Sequence, residues 1–135
     1  MAGNENINIG VCYRSQAAED DEVKELFKAI ETASNEQVMI MGDFNYPKIN
    51  WETFKCDSYG VLFRDLLLDN YLFQNVRDPT RENNILDLVI SSDVNLITEV
   101  NVLEHLGNSD HNIIVWKLIC DVGLTKTKLP VKAVS

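Results

Sequence analysis

The sequence predicts an α/β domain in which the sheet is covered by other elements. A buried strand at residues 7–14 is followed by an amphipathic helix and a second strand at 37–41, an order typical of a right-handed crossover between neighbouring strands. The second strand, QVMIM, is apolar almost throughout, which is typical of a strand buried on both faces. A chain of 135 residues is long enough for one domain with a substantial core.

The first strand and the first helix follow from the spacing of their apolar residues. Alternate residues of the strand, from Ile7 to Tyr13, lie on one face. Asp20 or Asp21 is expected to cap the helix, because a short acidic side chain accepts hydrogen bonds from the free N–H groups of a first turn. The apolar side chains at helical spacing, expected to form the core face, are Val23, Leu26, Phe27 and Ile30.

A second helix and further strands are expected in the rest of the chain. The helix is predicted at 58–70, and its expected core residues are Val61, Leu62, Leu66 and Leu67. The remaining segments are a short strand in 71–76, a polar loop at 77–84 and strands at 85–92, 96–104 and 112–122. Residues 123–135 lack periodicity and are expected to be a tail or linker, which leaves 1–122 as the domain.

Composition and charge exclude several classes of protein. A net charge of -9 argues against strong nucleic-acid binding by this chain alone, because phosphate binding requires a cationic face. The three cysteines are widely spaced and form neither a disulfide framework nor a zinc motif. No apolar run is long enough to cross a membrane, and the N-terminus has no signal peptide. An intracellular protein, nuclear or cytoplasmic, is therefore expected.

Polar side chains occur where predicted strands begin or end, and functional groups collect at such positions in open α/β sheets. Asp43 and Asn45 follow the second strand, Asp87 interrupts the apolar run ILDLVI, and Asp110 and His111 precede the last strand. Each residue has a simpler explanation as a turn residue, a helix cap or a surface side chain. Asp87 is the exception, because a buried carboxylate requires a partner.

Phosphodiester hydrolysis would use all five of these residues. Asp43 could orient or deprotonate the attacking water, and Asn45 could donate to a phosphate oxygen. His111 could donate to the scissile phosphate while Asp87 accepts from its other ring nitrogen and fixes the tautomer. Asp110 could bind a divalent cation such as Mg²⁺ or its water shell, since hard cations prefer oxygen ligands.

The motifs IMGDFN, ILDLVISS and SDHN, in this order, resemble the endonuclease/exonuclease/phosphatase superfamily, which has the deoxyribonuclease-I-like fold. VMIMGDFNYPKINW together with TRENNILDLVIS is similar to the apurinic-type endonuclease domains of non-LTR retrotransposons of the LINE and jockey groups. The resemblance covers nearly all of residues 7–118. GDFN alone is moderately specific, but the ordered set of three motifs is strongly so.

The resemblance assigns a role to each motif residue. The matched positions are Asp43 and Asn45 for the catalytic Asp-x-Asn, Asp87 for the acid that orients the histidine, Asp110 for the metal-proximal acid and His111 for the catalytic histidine. Tyr13 matches a tyrosine that contacts phosphate, and Thr80 stands where the retrotransposon group often has a threonine. Ser15 and Gln16 stand where the family usually has proline, so this loop is expected to differ.

The resemblance also implies half of a four-layer α/β/β/α sandwich, with a mixed sheet and helices on one face. Residues 1–122 would be the C-terminal half, because the family's metal-binding Glu and an early strand-end Asn lie upstream of the position of Tyr13. The implied protein is the C-terminal portion of a DNA-nicking endonuclease that uses Mg²⁺ or Mn²⁺. Weak metal binding and little or no nuclease activity are expected of the chain alone, so that it would be inactive as a fragment, with DNA as the substrate of the complete domain.

Two alternatives remain open. The half-fold could serve as a non-catalytic interaction or dimerisation module, and a phosphatase of the same fold is a weaker possibility because the motif wording matches the retroelement branch. A sheet without its partner lobe would leave an apolar face bare. A homodimer that packs sheet against sheet is therefore expected, with a lobe supplied by another chain as the alternative.

Overall fold

Residues 7–104 and 107–119 are described by a computed structural model, and they form two sheets and two helices. Their elements in chain order are β1 (Ile7–Tyr13), α1 (Asp20–Ala33), β2 (Gln37–Asp43), α2 (Val61–Asp69), β3 (Phe73–Gln74), β4 (Asp87–Ser91), β5 (Ile97–Leu103) and β6 (Ile113–Leu118). The expected tail at 123–135 lies outside the described residues.

The main sheet is mixed, as expected, and has the strand order β1-β2-β4-β3. β1 and β2 are parallel and are joined by α1, which is the predicted crossover. β4 runs antiparallel to both of its neighbours, β2 and β3. β5 and β6 pair with each other as an antiparallel hairpin that forms a second, two-stranded sheet.

The helices cover one face of the main sheet. Val38 and Ile40 of β2 are fully buried on this face, in the same cluster as Ile30 of α1 and Phe63 of α2. The Phe63 ring lies between aromatic neighbours, with its centroid 5.0 Å from that of Phe44. Burial of this many apolar side chains is the main stabilising contribution to the domain.

The β5–β6 hairpin packs on the opposite face, where Met39 of β2 is 4% exposed. The indole N–H of Trp116 donates to the sulfur of Met39 across 3.2 Å. The expectation that this face is left bare is therefore wrong, because the chain folds its own last strands over it. The cover is uneven along β1, since Ile7 is 4% exposed and Val11 is 37% exposed.

Several details of the elements differ from expectation. Glu19 precedes the first turn of α1 in place of Asp20 or Asp21, and its backbone N–H donates to the Glu22 carboxylate at 3.4 Å. Leu62 was expected in the core of α2 but is 70% exposed, and Phe63 occupies the buried position. Leu67 is buried and Leu66 is partly buried, as expected, and Phe63 shares their face because it lies three and four residues before them.

Among the described residues, no helix is both long enough and apolar enough to span a bilayer. Cys12 is buried and Cys56 is partly buried, and neither forms a disulfide. Burial raises the pKa of the Cys12 thiol to about 12, so this cysteine is a reduced core residue without nucleophilic character.

Candidate active site

One row of side chains crosses the main sheet where β2 ends. Tyr13 of β1 pairs with Asp43 of β2, and Asp43 pairs with Asp87 of β4. Residues paired in this way point to the same face. The row lies on the face that the hairpin packs against, directly beyond Met41 and its partner Val89. The apolar face thus ends in two adjacent carboxylates.

Gly42 permits this close approach of β2 to β1. Its φ of 150° is a conformation that side-chain-bearing residues rarely adopt. A Cβ atom at this position would lie 1.7 Å from the carbonyl oxygen of Cys12. The glycine of the GDFN motif is therefore required for the pairing that places Asp43 beside Tyr13.

His111 lies over the carboxylates at the start of β6. Its Nδ1 is 2.6 Å from Oδ2 of Asp87, and its Nε2 is 3.6 Å from Oδ2 of Asp43. An ionised carboxylate only accepts hydrogen bonds, so Nδ1 carries the proton and donates it to Asp87. Nε2 is then the ring atom that faces Asp43 and the solvent.

The environment of Asp43 disfavours its charge. Burial, with a contribution from the neighbouring Asp87 carboxylate, raises the pKa of Asp43 to about 6. His111, the backbone N–H of Asn45 and Arg81 act in the opposite direction. Asp43 is thus a carboxylate whose pKa lies close to neutral pH, as a general base requires.

Asn45 lies at the cleft but its amide is engaged with the backbone. The residue is 6% exposed and has a φ of 54°, a left-handed conformation that Asn tolerates better than most residues. Its side-chain nitrogen donates to the carbonyl of Arg14 at 2.5 Å, and its backbone N–H donates to Oδ1 of Asp43 at 3.0 Å. Asn45 therefore fixes the Asp43 side chain as well as lining the cleft.

Arg14 is a functional residue that the sequence did not reveal. Its side chain is 2% exposed, and its Nε and Nη2 atoms donate to the carbonyls of Phe44 and Asn45 at 2.7 and 2.6 Å. The guanidinium lies 3.9 Å from the centre of the Tyr46 ring, a cation–π contact. Arg14 thus holds the turn that carries Asp43 and Asn45.

Thr80 is fully buried beneath the cleft, and the hydrogen bonds that it makes there could not be inferred from the sequence. Its hydroxyl oxygen accepts hydrogen bonds from the backbone N–H groups of Leu86 and Asp87, both at 3.0 Å. Its carbonyl accepts from the N–H of Asn112 at 2.6 Å. Thr80 therefore connects the strand of Asp87 to the turn of His111.

Asp110 lies at the exposed edge of the carboxylate cluster and pairs with Arg81. Its Oδ2 lies 2.9 Å from Nη2 of Arg81, while its Oδ1 is 3.8 Å from Nε2 of His111. The Asp110 side chain is 60% exposed. The structure therefore brings together Tyr13, Asp43, Asn45, Asp87 and His111, and it leaves Asp110 at the rim.

Four of these residues border an open cleft of about 460 Å³, namely Tyr13, Asp43, Asn45 and His111. Ser15, Gln16 and Arg81 also line it. Asp43, Asp87 and His111 offer ligand atoms within 4.8 Å of one another, so the cluster could hold a metal ion. Asp87 is already engaged by His111, and Asp110 by Arg81. Asp43 is consequently the carboxylate best able to accept a hard cation, which would keep most of its water ligands.

Comparisons with known proteins concern the family and the fold of the chain. A family model described as endonuclease-reverse transcriptase matches residues 7–115. Among solved structures, the chain is similar to the endonuclease domain of TRAS1, a telomere-specific non-LTR retrotransposon, with 21% sequence identity and a TM-score of 0.62. The match covers 78% of this chain and 54% of that domain, so the chain spans about half its length. No curated protein matches the sequence.

The structural similarity confirms the expected fold class, a mixed α/β arrangement of the deoxyribonuclease-I-like type. The family match confirms the resemblance to retrotransposon endonucleases.

Proposed function

The chain belongs to the endonuclease-reverse transcriptase family, and we propose that it provides the phosphodiester-cleaving wall of a DNA-nicking endonuclease that depends on Mg²⁺ or Mn²⁺. The observation that carries this proposal is the Asp43–His111–Asp87 arrangement at an open cleft, with contacts of 3.6 and 2.6 Å to the two ring nitrogens. A histidine held between two carboxylates, one of them with a raised pKa, is an acid–base pair suited to hydrolysis.

His111 and Asp87 act as one unit in this proposal. Asp87 accepts a hydrogen bond from the Nδ1–H group, which fixes the orientation and the tautomer of the ring. A protonated Nε2 then faces the cleft and donates to an oxygen of the scissile phosphate, where negative charge develops in the transition state.

Asp43 orients the attacking water and accepts its proton. With a pKa raised to about 6, the carboxylate is mostly ionised at neutral pH and is still basic enough to take up a proton. The backbone N–H of Asn45 donates to its Oδ1, which leaves the rest of the carboxylate available to the cleft. Tyr13, in register beside Asp43, is positioned to contact a phosphate oxygen.

A divalent cation would be held by Asp43, and it would supply charge neutralisation at the phosphate when bound. Because Asp87 and Asp110 are engaged by His111 and Arg81, the described residues offer too few anionic oxygens for a closed site. Weak affinity for Mg²⁺ is therefore part of the proposal, and so is slow nicking by this chain alone.

A supercoiled-plasmid nicking assay with Mg²⁺ or Mn²⁺, against EDTA, tests the proposal. We expect slow, metal-dependent nicking that falls about 100-fold or more in His111→Ala and Asp43→Ala. Asp69→Ala, at the exposed end of α2, is the matched control and retains the wild-type rate. The rate is also expected to fall at acidic pH, because Asp43 becomes protonated. A bound cation moves this decrease to a pH below 6, since it favours the ionised carboxylate.

If wild-type nicking is below detection, binding provides the readout. Addition of a thymidine dinucleotide should shift the NMR signals of the His111 ring and of Tyr13, since both line the cleft. Nicking that is equal in the wild type and in His111→Ala would overturn the proposal. The absence of any dinucleotide effect on the cleft residues would do the same.

A second copy of the chain is the partner we propose for the apolar surface that remains open. Leu103 and Val115 are 50% and 48% exposed on the outer face of the hairpin, since they alternate with residues that pack on the main sheet. Val11, on the face of the main sheet beneath the hairpin, is 37% exposed. Such residues favour a contact with another chain. Light scattering at micromolar concentration tests this, and a stable monomer would contradict it.

A further inference from the structure

Arg81 is the one arginine or lysine that lines the cleft among the described residues. A DNA phosphate that enters the cleft meets the carboxylate of Asp43, in a chain of net charge -9. The carboxylates of Asp87 and Asp110 lie 2.6 and 3.8 Å from ring nitrogens of His111 and add to the negative charge there. A cation is needed at this point, because phosphate recognition is mainly electrostatic. Arg81 is close enough to Asp43 to lower the pKa of that carboxyl.

We propose that Arg81 is the phosphate-binding residue of the cleft, and that Asp110 occupies its guanidinium until DNA displaces it. The inference rests on the proposed function, since it takes DNA as the ligand of the cleft. It gives Asp110 a different role from the metal-binding one that the sequence suggested. Asp110 becomes a competitor of the substrate.

The backbone of Arg81 is fixed, so its guanidinium stays at the cleft. The N–H groups of Thr80 and Arg81 both donate to the carbonyl of Asn84, at 2.9 and 3.1 Å, and Asn84 donates back to Arg81 at 2.9 Å. Thr80 is fully buried and accepts a hydrogen bond from Asn112, the neighbour of His111. Arg81 and His111 are therefore anchored to the same buried residue.

The ion pair between Arg81 and Asp110 is weak enough for Arg81 to exchange Asp110 for another anion. The two side chains are 39% and 60% exposed, and pairs exposed to this extent contribute little stability. A DNA phosphodiester carries the same single negative charge as a carboxylate, and it also offers a guanidinium two oxygens for a bidentate contact. Exchange from Asp110 to phosphate therefore leaves the arginine paired and releases the Asp110 carboxylate to water.

Fluorescence anisotropy with a short labelled DNA duplex, measured over a range of salt concentrations, tests this exchange. Arg81→Ala should weaken binding about tenfold and reduce the salt slope by about 1. Arg81→Lys should retain part of the affinity, because it keeps the charge but loses the fork geometry. Arg77→Ala is the matched control, as it removes the same charge from the same loop outside the cleft lining.

Asp110→Asn should bind DNA more tightly than the wild type, and more tightly than Asp78→Asn, which neutralises an exposed acid of the neighbouring loop. This gain should disappear in the double variant Arg81→Ala/Asp110→Asn, because the freed guanidinium is its source. A gain that persists in the double variant would show a general charge effect and would overturn the exchange.

Equal affinity and salt slope in Arg81→Ala and Arg77→Ala would overturn the role of Arg81, as would the absence of wild-type binding at low salt. His111→Ala separates this inference from the proposed function. It should remove nicking, whereas the fold-change in DNA affinity caused by Arg81→Ala should be the same in the wild-type and His111→Ala backgrounds. Nicking that survives His111→Ala contradicts the proposed chemistry, whatever Arg81 does.

Discussion

The two walls of the cleft are built in different ways. The inner wall, residues 13–16 and 42–46, continues from the ends of β1 and β2, and its Arg14 and Asn45 are 2% and 6% exposed. The outer wall, residues 77–84 and 107–112, carries Arg81 and Asp110, with side chains 39% and 60% exposed. Asp43, the proposed base, is thus held by buried hydrogen bonds, whereas the guanidinium of Arg81 is held by a solvent-exposed ion pair.

This difference gives the two walls different roles: the inner wall positions the catalytic groups, and the outer wall adapts to the substrate. Buried hydrogen bonds to a charged group are expensive to break, so the inner wall keeps Asp43 in one place before substrate arrives. An exposed ion pair exchanges at little cost, so the outer wall can adapt to a phosphate. Substitutions in the inner wall should therefore reduce stability and activity together, and those in the outer wall should affect function more than stability.

The largest difference between the walls is expected at their glycines. Gly42→Ala should destabilise the protein by roughly 4 kcal/mol or prevent folding, because the new Cβ would meet the Cys12 carbonyl at 1.7 Å. Gly107→Ala in the outer wall has nothing within 4 Å and a φ of 57°, so about 1 kcal/mol is expected. Chemical denaturation of both variants measures this, and equal costs would contradict the comparison.

The second-largest difference in stability is expected between the arginines of the two walls, the buried Arg14 and the exposed Arg81. Arg14→Ala should cost about 3 kcal/mol, because the Phe44 and Asn45 carbonyls lose charged donors and the Tyr46 ring loses its cation. Arg81→Ala, the same substitution in the outer wall, should cost less than about 1 kcal/mol. Urea midpoints give both values.

Arg14→Lys distinguishes positioning from bulk stability. It keeps the charge but cannot reach two carbonyls with one planar group, so kcat should decrease in conditions where the variant is fully folded. A wild-type kcat in folded Arg14→Lys would mean that the residue only supports the fold.

Thr80 connects the two walls and should show an intermediate effect. Thr80→Val keeps the shape but leaves the N–H groups of Leu86 and Asp87 without their acceptor, so a loss of about 2 kcal/mol is expected. Thr80→Ser retains the hydroxyl and should retain the Asp87–His111 hydrogen bond, observed by NMR of the ring protons. Identical NMR spectra for the Val and Ser variants would contradict this role.

The smallest expected effect is a gain in stability. The folded-state pKa of Asp43 is raised from 3.8 to about 6, so the folded protein binds this proton more tightly than the unfolded chain. Stability from this residue is therefore present below pH 4 and is lost as the pH rises through 6. Asp43→Asn, which stays neutral, should be more stable than the wild type at pH 7 by about 1 kcal/mol.

The gain of Asp43→Asn should vanish at pH 4, where the wild-type carboxyl is also largely neutral in the fold. Asp69→Asn at the exposed end of α2 serves as the control, without an expected gain. Thermal unfolding in EDTA at the two pH values measures the difference. A loss of stability in Asp43→Asn at pH 7 would show that its charge is favourable in the fold.

The sequence by itself determined the elements of the main sheet and the motif residues of the site. Period-two and helical patterns are local, so β1, β2, α1 and β4 were predicted close to their observed bounds. Asp87 stood out because a carboxylate in an apolar strand requires a partner, and its partner is His111.

Tertiary structure alone decided the contacts between distant segments. The pairing of β1, β2 and β4 sets Asp43 beside Asp87. Burial in the fold, and then the neighbouring Asp87 carboxylate, raise the pKa of Asp43, which no local pattern encodes. In the sequence, Arg14 looks like any arginine that follows a strand. Only the fold shows that it donates to the carbonyls of Phe44 and Asn45. The hairpin covered a face expected to be bare because its apolar residues could be buried within the same chain. Each of these outcomes depends on which segments meet in space, whereas sequence periodicity reports only which side of its own element a residue occupies.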